Sequence, residues 1–143
     1  MDYAHTFAVS AAGMAVERAR VEAAAMNIAN ANTVQAAGSA GYRPVRVVAR
    51  TAALPFADLV GGSPARAALP FAVVEFPDAG PRLVQDPGHP LANEHGFVAY
   101  PAVDAATEMV SLMSAMRSYE ANVAAMNTAR SLALRTLEIG KGS

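Results

Sequence analysis

Large apolar residues in the first thirty positions keep a seven-residue beat: Phe7, Met14, Val21 and Ile28, with Ala11 and Ala25 four positions further on. Arg18 and Asn32 interrupt the second row. The spacing predicts one amphipathic helix over 3–31, supported on its polar side by Glu17–Arg20 and Arg18–Glu22 at three- and four-residue separations. Gly13 weakens that helix by up to about 1 kcal/mol relative to alanine.

Residues 104–138 carry a stronger pattern. Met109, Leu112, Met116, Tyr119, Val123, Met126, Arg130, Ala133 and Leu137 alternate in steps of three and four, a heptad seam over four repeats with a polar break at Arg130. Asp104 stands where an N-cap belongs, and Glu108 sits near the first turn, where the helix dipole favours an acid. Gly140 and Gly142 end the run. At 1.5 Å per residue the helix is about 50 Å long, too long for a chain of this size to wrap. AAMNIA at 24–29 recurs as AAMNTA at 124–129, so both helices present Met beside Asn.

Between the helices the pattern changes. YRPVRVVART, FAVVEF and GFVAYP read as short strands, and eight of the nine prolines lie between 55 and 101. Residues 53–70 read as a mobile loop. The predicted architecture is mainly α with a small β insert: long N- and C-terminal helices form an antiparallel coiled-coil hairpin around a β-rich middle. Its parts are an N-terminal helix and signature loop at 1–41, the insert at 42–103 and the C-terminal helix at 104–143.

Composition sharpens this picture. The chain has 143 residues, a formal net charge of −1 and no cysteine. The near-neutral charge gives no footing for nucleic acid, and the missing thiols exclude disulfides and thiolate metal sites. The hydrophobic fraction is 53%, but much of it is alanine, and only 6% of residues are aromatic. Large side chains contribute about 1.5–3 kcal/mol each on burial, and this chain has few. Such material suits helices packed closely through small residues. No run approaches the roughly 20 apolar residues of a membrane span. MDYAHTF lacks the basic start of a secretory signal, so if the chain leaves the cytoplasm another machine exports it.

Catalytic chemistry finds no foothold. His5, His89 and His95 show no ligand spacing, Glu94-His95 lacks a third partner, and Gly61-Gly62-Ser63 has no following lysine. Asp104 and Glu108 are read as partners of the helix dipole rather than a cation site. Met109, Met113, Met116 and Met126 are read as packing material. No enzyme and no cofactor are expected.

The stretch NIANANTVQAAGSAGYRP (27–44) stands out, because asparagine competes with helical backbone bonds and three occur within six positions. AAAMNIANANT (23–33) followed by GYRP (41–44) resembles the N-terminal signature of the flagellar rod and hook proteins, a helix running into N-x-A-N-x-x-T and then G-[YF]-[KR]. Asn27, Ala29, Asn30, Asn32, Thr33, Gly41, Tyr42 and Arg43 fit it, with VQAAGSA lengthening the spacer. Residues 86–141 resemble the C-terminal half of a proximal rod subunit of that family. The matching features are Asp86-Pro87, His89-Pro90-x-Ala92, Gly96-Phe97-Val98, Pro101-x-Val103-Asp104, Glu108-Met109-Val110, Arg117-Ser118-Tyr119, Ala121-Asn122-Val123 and Asn127-Thr128. Ala102 replaces the usual Asn and Arg130 the usual Lys.

The resemblance implies a non-catalytic subunit that polymerises into the hollow basal-body rod. Its expected partners are further copies, other rod subunits, and membrane ring and export apparatus proteins at the rod base, with no nucleic acid and no membrane insertion. The expected location is the flagellar basal body across the periplasm, reached through the flagellar type III apparatus without a cleaved signal peptide. Another rod subunit of the same family, or a soluble helical adaptor or export chaperone, are the alternatives. Ordering each residue costs about 1–2 kcal/mol, and the thin N-terminal stripe offers little against it. Both termini are therefore expected to gain order when neighbouring subunits cover them. The expected assembly seam is Met109, Leu112, Met116, Tyr119, Val123, Met126, Ala133 and Leu137, and the expected N-terminal packing stripe is Phe7, Met14, Val21 and Ile28. Asn27, Asn30 and Asn32, with Asn122 and Asn127 opposite, are expected to set the register between helices, the best-attested role of a polar group in a helical seam.

Overall fold

The computed structural model describes residues 3–39, 41–51 and 69–141. Its element order is α1 (Tyr3–Asn30), β1 (Gln35–Ala36), β2 (Arg46–Thr51), β3 (Pro70–Glu75), β4 (Arg82–Gln85), β5 (Phe97–Tyr100) and α2 (Ala105–Lys141). Two long helices frame a small antiparallel β region, as the periodicities predict. The expected strands at YRPVRVVART, FAVVEF and GFVAYP correspond to β2, β3 and β5. The 53–70 loop lies almost wholly outside the described residues.

Two elements escaped the sequence pattern. β1 is two residues long, and β4 holds only Arg82–Gln85, each too short to show an alternation. Both exist because β5 lies between them: Ala99 and Val98 pair with Gln35 and Ala36 on one side and with Leu83 and Val84 on the other. The three-stranded sheet has the order β1-β5-β4. β5 is accordingly the most buried strand, with Val98 and Ala99 almost wholly enclosed. β2 and β3 form a separate antiparallel pair from Arg46↔Glu75 to Thr51↔Pro70.

The loop from β4 to β5 is a compact knot of local bonds. The Asn93 carboxamide oxygen accepts from the amides of His95 and Phe97 at 3.0 and 2.9 Å. The Asn93 amide donates to the Phe97 carbonyl and the Gly96 amide to the Asn93 carbonyl. Gly96 has a φ of 75°, a conformation open to glycine and costly for side chains. A Cβ there would also meet the Pro87 ring at 3.1 Å.

Asp104 caps α2 as its position suggests. Its carboxylate accepts from the Ala106 amide at 3.2 Å and from the Thr107 hydroxyl. These bonds, the one from Thr107 first, lower its pKa below the ordinary carboxylate value.

Most tertiary packing lies between α1 and α2, and it is made by small groups. Among the described residues the buried apolar ones are Val16, Ala23, Ala24, Ala31, Val98, Ala99, Ala115 and Ala129, with Pro44 and Pro101, and the buried polar ones are Ser10 and Asn27. Among the described residues only Val98 and Asn27 are sizeable side chains fully enclosed. Among the described residues no buried side-chain nitrogen or oxygen lacks a hydrogen-bond partner.

Candidate assembly interface

The antiparallel register is fixed at separated points. Tyr3 and Thr136 share a hydroxyl–hydroxyl bond of 3.1 Å near the helix termini. Further along, a Cβ added to Gly13 would lie 2.9 Å from Asn122 Oδ1. Toward the β region, Ala23 and Ala24 border a cleft of about 270 Å³ together with Thr107, Glu108 and Ser111 of α2, Val45, and Arg46 and Val47 at the start of β2.

These points show which row of α2 meets α1. Ala115, Asn122, Ala129 and Thr136 follow one another at seven-residue steps on the packed side. The row Leu112, Tyr119, Met126 and Ala133 runs along its edge, with Tyr119 40% exposed and the other three half-buried. The other expected row has turned outward. Met109 is 53% exposed, Met116 48% and Leu137 65%; Arg130 is also exposed, and Val123 alone stays half-buried. The hairpin seam within the chain is therefore offset by one residue from the row of largest side chains. Helices approach more closely across Gly, Ala and Ser than across Met and Leu, so the small row wins the contact and keeps dense packing.

Phe7, Met14, Val21 and Ile28 of α1 are all half-buried. They flank the packed line of Ser10, Val16, Ala23, Ala24 and Asn27. Val21 borders a shared surface groove with Met116 and Tyr119 of α2.

Within one chain the hydrogen bonds of Asn27, Asn30 and Asn122 run to their own helix or to the segment that follows it, while Asn122 packs across the seam against Gly13. Asn27, only 1% exposed, donates through Nδ2 to the Val45 carbonyl at 2.8 Å. Its Oδ1 accepts from the Val45 amide at 2.9 Å and from the Tyr42 hydroxyl at 2.7 Å. It thus clamps Gly41-Tyr42-Arg43-Pro44 onto α1. Burial raises the Tyr42 pKa above the ordinary phenol value, and the negative Glu108 adds to the rise. Asn30 closes α1: its Nδ2 donates to the Met26 carbonyl at 2.9 Å, and its Oδ1 accepts from Thr33 Oγ1 at 3.4 Å. Asn122 donates to the Ser118 carbonyl on its own helix at 3.0 Å. Asn32 and Asn127 are exposed.

Sequence reasoning missed Gly13 as a packing notch and Val45 as the partner of Asn27. Gly13 reads in one dimension as a helix defect; its use depends on Asn122, more than a hundred positions away. The remaining candidates form no reactive cluster. His89 Nδ1 accepts from the Leu91 amide, Glu94 and His95 are exposed, and no group of three potential metal ligands occurs among the described residues. No described helix is long and apolar enough to cross a membrane.

The fold and this surface define a class: a helical-hairpin protein with a small β insert, whose heptad residues Met109, Met116 and Leu137 stand about half exposed or more. Residues 94–139 match the family model described as flagellar basal body rod FlgEFG protein C-terminal. The chain is 38% identical over 135 residues to flagellar basal-body rod protein FlgC of Salmonella typhimurium, covering 94% of this chain and 96% of that relative. Identity to FlgC of Bacillus subtilis is 35% over 146 residues, covering 96% and 97%, and to FlgC of Aquifex aeolicus 33% over 143 residues, covering 99% of each. The chain belongs to the FlgC family of flagellar basal-body rod proteins.

Proposed function

We propose that this chain is a structural subunit of the proximal rod of the bacterial flagellar basal body. It polymerises through α1 and α2 into the hollow shaft that transmits torque and conducts exported subunits. Its role is mechanical and needs no cofactor. The observation that carries this reading is the near full-length likeness to relatives named as basal-body rod proteins. The outward row of Met109, Met116 and Leu137 gives it a physical basis, since apolar heptad residues left in water gain burial only from a neighbouring helix.

The partners are further copies, other rod subunits, and the ring and export components at the rod base. Export proceeds through the flagellar type III apparatus, and the assembled chain spans the periplasm. Deletion of the gene is expected to abolish motility and leave basal bodies arrested at the ring stage, with both restored by the wild-type chain. Normal swimming and complete basal bodies in the deletion strain would reject the reading. Circular dichroism of dilute and assembled protein tests the ordering of the termini: helix content is expected to rise on assembly, and equal content in both states counts against it.

A further inference from the structure

The hairpin carries two apolar surfaces on different sides, and their chemistry is complementary. The first is a groove of about 220 Å³ between the helices, lined by Val21 of α1 and Met116 and Tyr119 of α2 and rimmed by Arg18 and Glu120. Val21 and Met116 each belong to a row with a seven-residue period, and those rows flank the seam already packed within the chain. The occupant that continues such a seam is a third helix with the same period. The second surface is on α2 alone. Val110 and Met113, 67% and 55% exposed, border a shallow depression with Arg117.

Charge orients the two surfaces. Arg18 at the groove rim is already engaged with Glu22 at 2.9 Å, whereas among the described residues neither Glu120 nor Arg117 takes part in an ion pair. The groove therefore offers an unmatched acid, and the Val110–Met113 surface an unmatched base. Resting on the rod-subunit reading, we propose that the groove at Val21, Met116 and Tyr119 receives the Val110–Met113 side of α2 from a second copy of this chain, with Arg117 of that copy beside Glu120. The two patches differ, so the contact is heterologous. A heterologous contact repeats along an open helix instead of closing in a dimer.

The absence of cysteine permits a clean test in cells. Val21→Cys is co-expressed with Val110→Cys or Met113→Cys as two chains of distinguishable size, and basal bodies are purified after oxidation. Mixed disulfide-linked dimers are expected several-fold above the pairing of Val21→Cys with Ala49→Cys on β2. Dimers of Val21→Cys with itself, links only to a different rod subunit, or assembled rods without mixed dimers would each overturn the proposal. A charge exchange covers the case in which a cysteine variant fails to assemble. Glu120→Arg and Arg117→Glu are each expected to cut rod incorporation several-fold, and the double variant to restore it. Unaffected single variants, or a double variant no better than either, would overturn the inference while leaving the rod reading intact. Absence of the wild-type chain from purified basal bodies would overturn both.

Discussion

Asn122 of α2 occupies the notch that Gly13 leaves in α1, so closely that a Cβ at Gly13 would come within 2.9 Å of its amide oxygen. Gly13→Ala adds one methyl against the end of a side chain that can move a few tenths of an ångström. It also recovers up to about 1 kcal/mol of helix propensity, and near-neutral stability is expected. Gly13→Leu has no room in the seam and should cost about 1–3 kcal/mol. Thermal unfolding of the two purified variants beside wild type checks the contrast; equal melting temperatures would show that the notch does not matter.

Asn27→Leu removes three hydrogen bonds and strands the Val45 amide and carbonyl. With each unsatisfied buried group costing about 1–3 kcal/mol, the expected loss is several times that of an average surface change. Hydrogen exchange locates the effect: the Val45 amide should exchange much faster in the variant, while amides in the middle of α2 stay protected. Uniform acceleration over the whole chain, or none, would contradict a local clamp.

Tyr42 and Asp104 give the chain opposite pH edges. The raised Tyr42 pKa means that the folded state holds the phenol proton more tightly than the unfolded chain. Its contribution is full below the ordinary phenol value and lost as pH rises through the folded value, where a phenolate can no longer donate to Asn27. Asp104 runs the other way: its lowered pKa adds stability above the ordinary carboxylate value, lost as pH falls through the folded one. Tyr42→Phe should remove the alkaline step and Asp104→Asn the acid step, each read from exchange at Val45 and Ala106 across pH. Steps that persist in these variants would assign them to other groups.

Met116→Asp separates folding from assembly. Met116 is half exposed in the chain, so the charge adds little desolvation cost to the isolated hairpin. In a polymer it would be buried unpaired, which is strongly unfavourable. The variant is expected to be expressed and exported at wild-type levels and to build no rod, leaving cells non-motile. Full motility would show that this flank faces solvent in the assembly as well.

Both helices, three of the strands and the cap at Asp104 were legible in the sequence because each depends on neighbours within a few residues. The hairpin seam was harder. A heptad pattern marks large residues, and Met109, Met116 and Leu137 stand out to a reader of periodicity, whereas the row that packs within the chain consists of Ala115, Asn122, Ala129 and Thr136. Two adjacent rows satisfied the same period, and the choice between them was made by how closely two backbones can approach. The three asparagines were visible as an anomaly. The partner of Asn27, the backbone at Val45, carries no side-chain signal at all.

The small-residue seam between the helices inverts the usual map of mutational tolerance. In most folded chains a surface methionine can be exchanged at little cost, and selection watches the interior. Here the interior is already near the minimum of side-chain volume and has little left to lose by truncation, while the bulky groups stand outside. Drift at those outer positions would escape any screen for soluble, folded protein and be caught only by whether the cell swims.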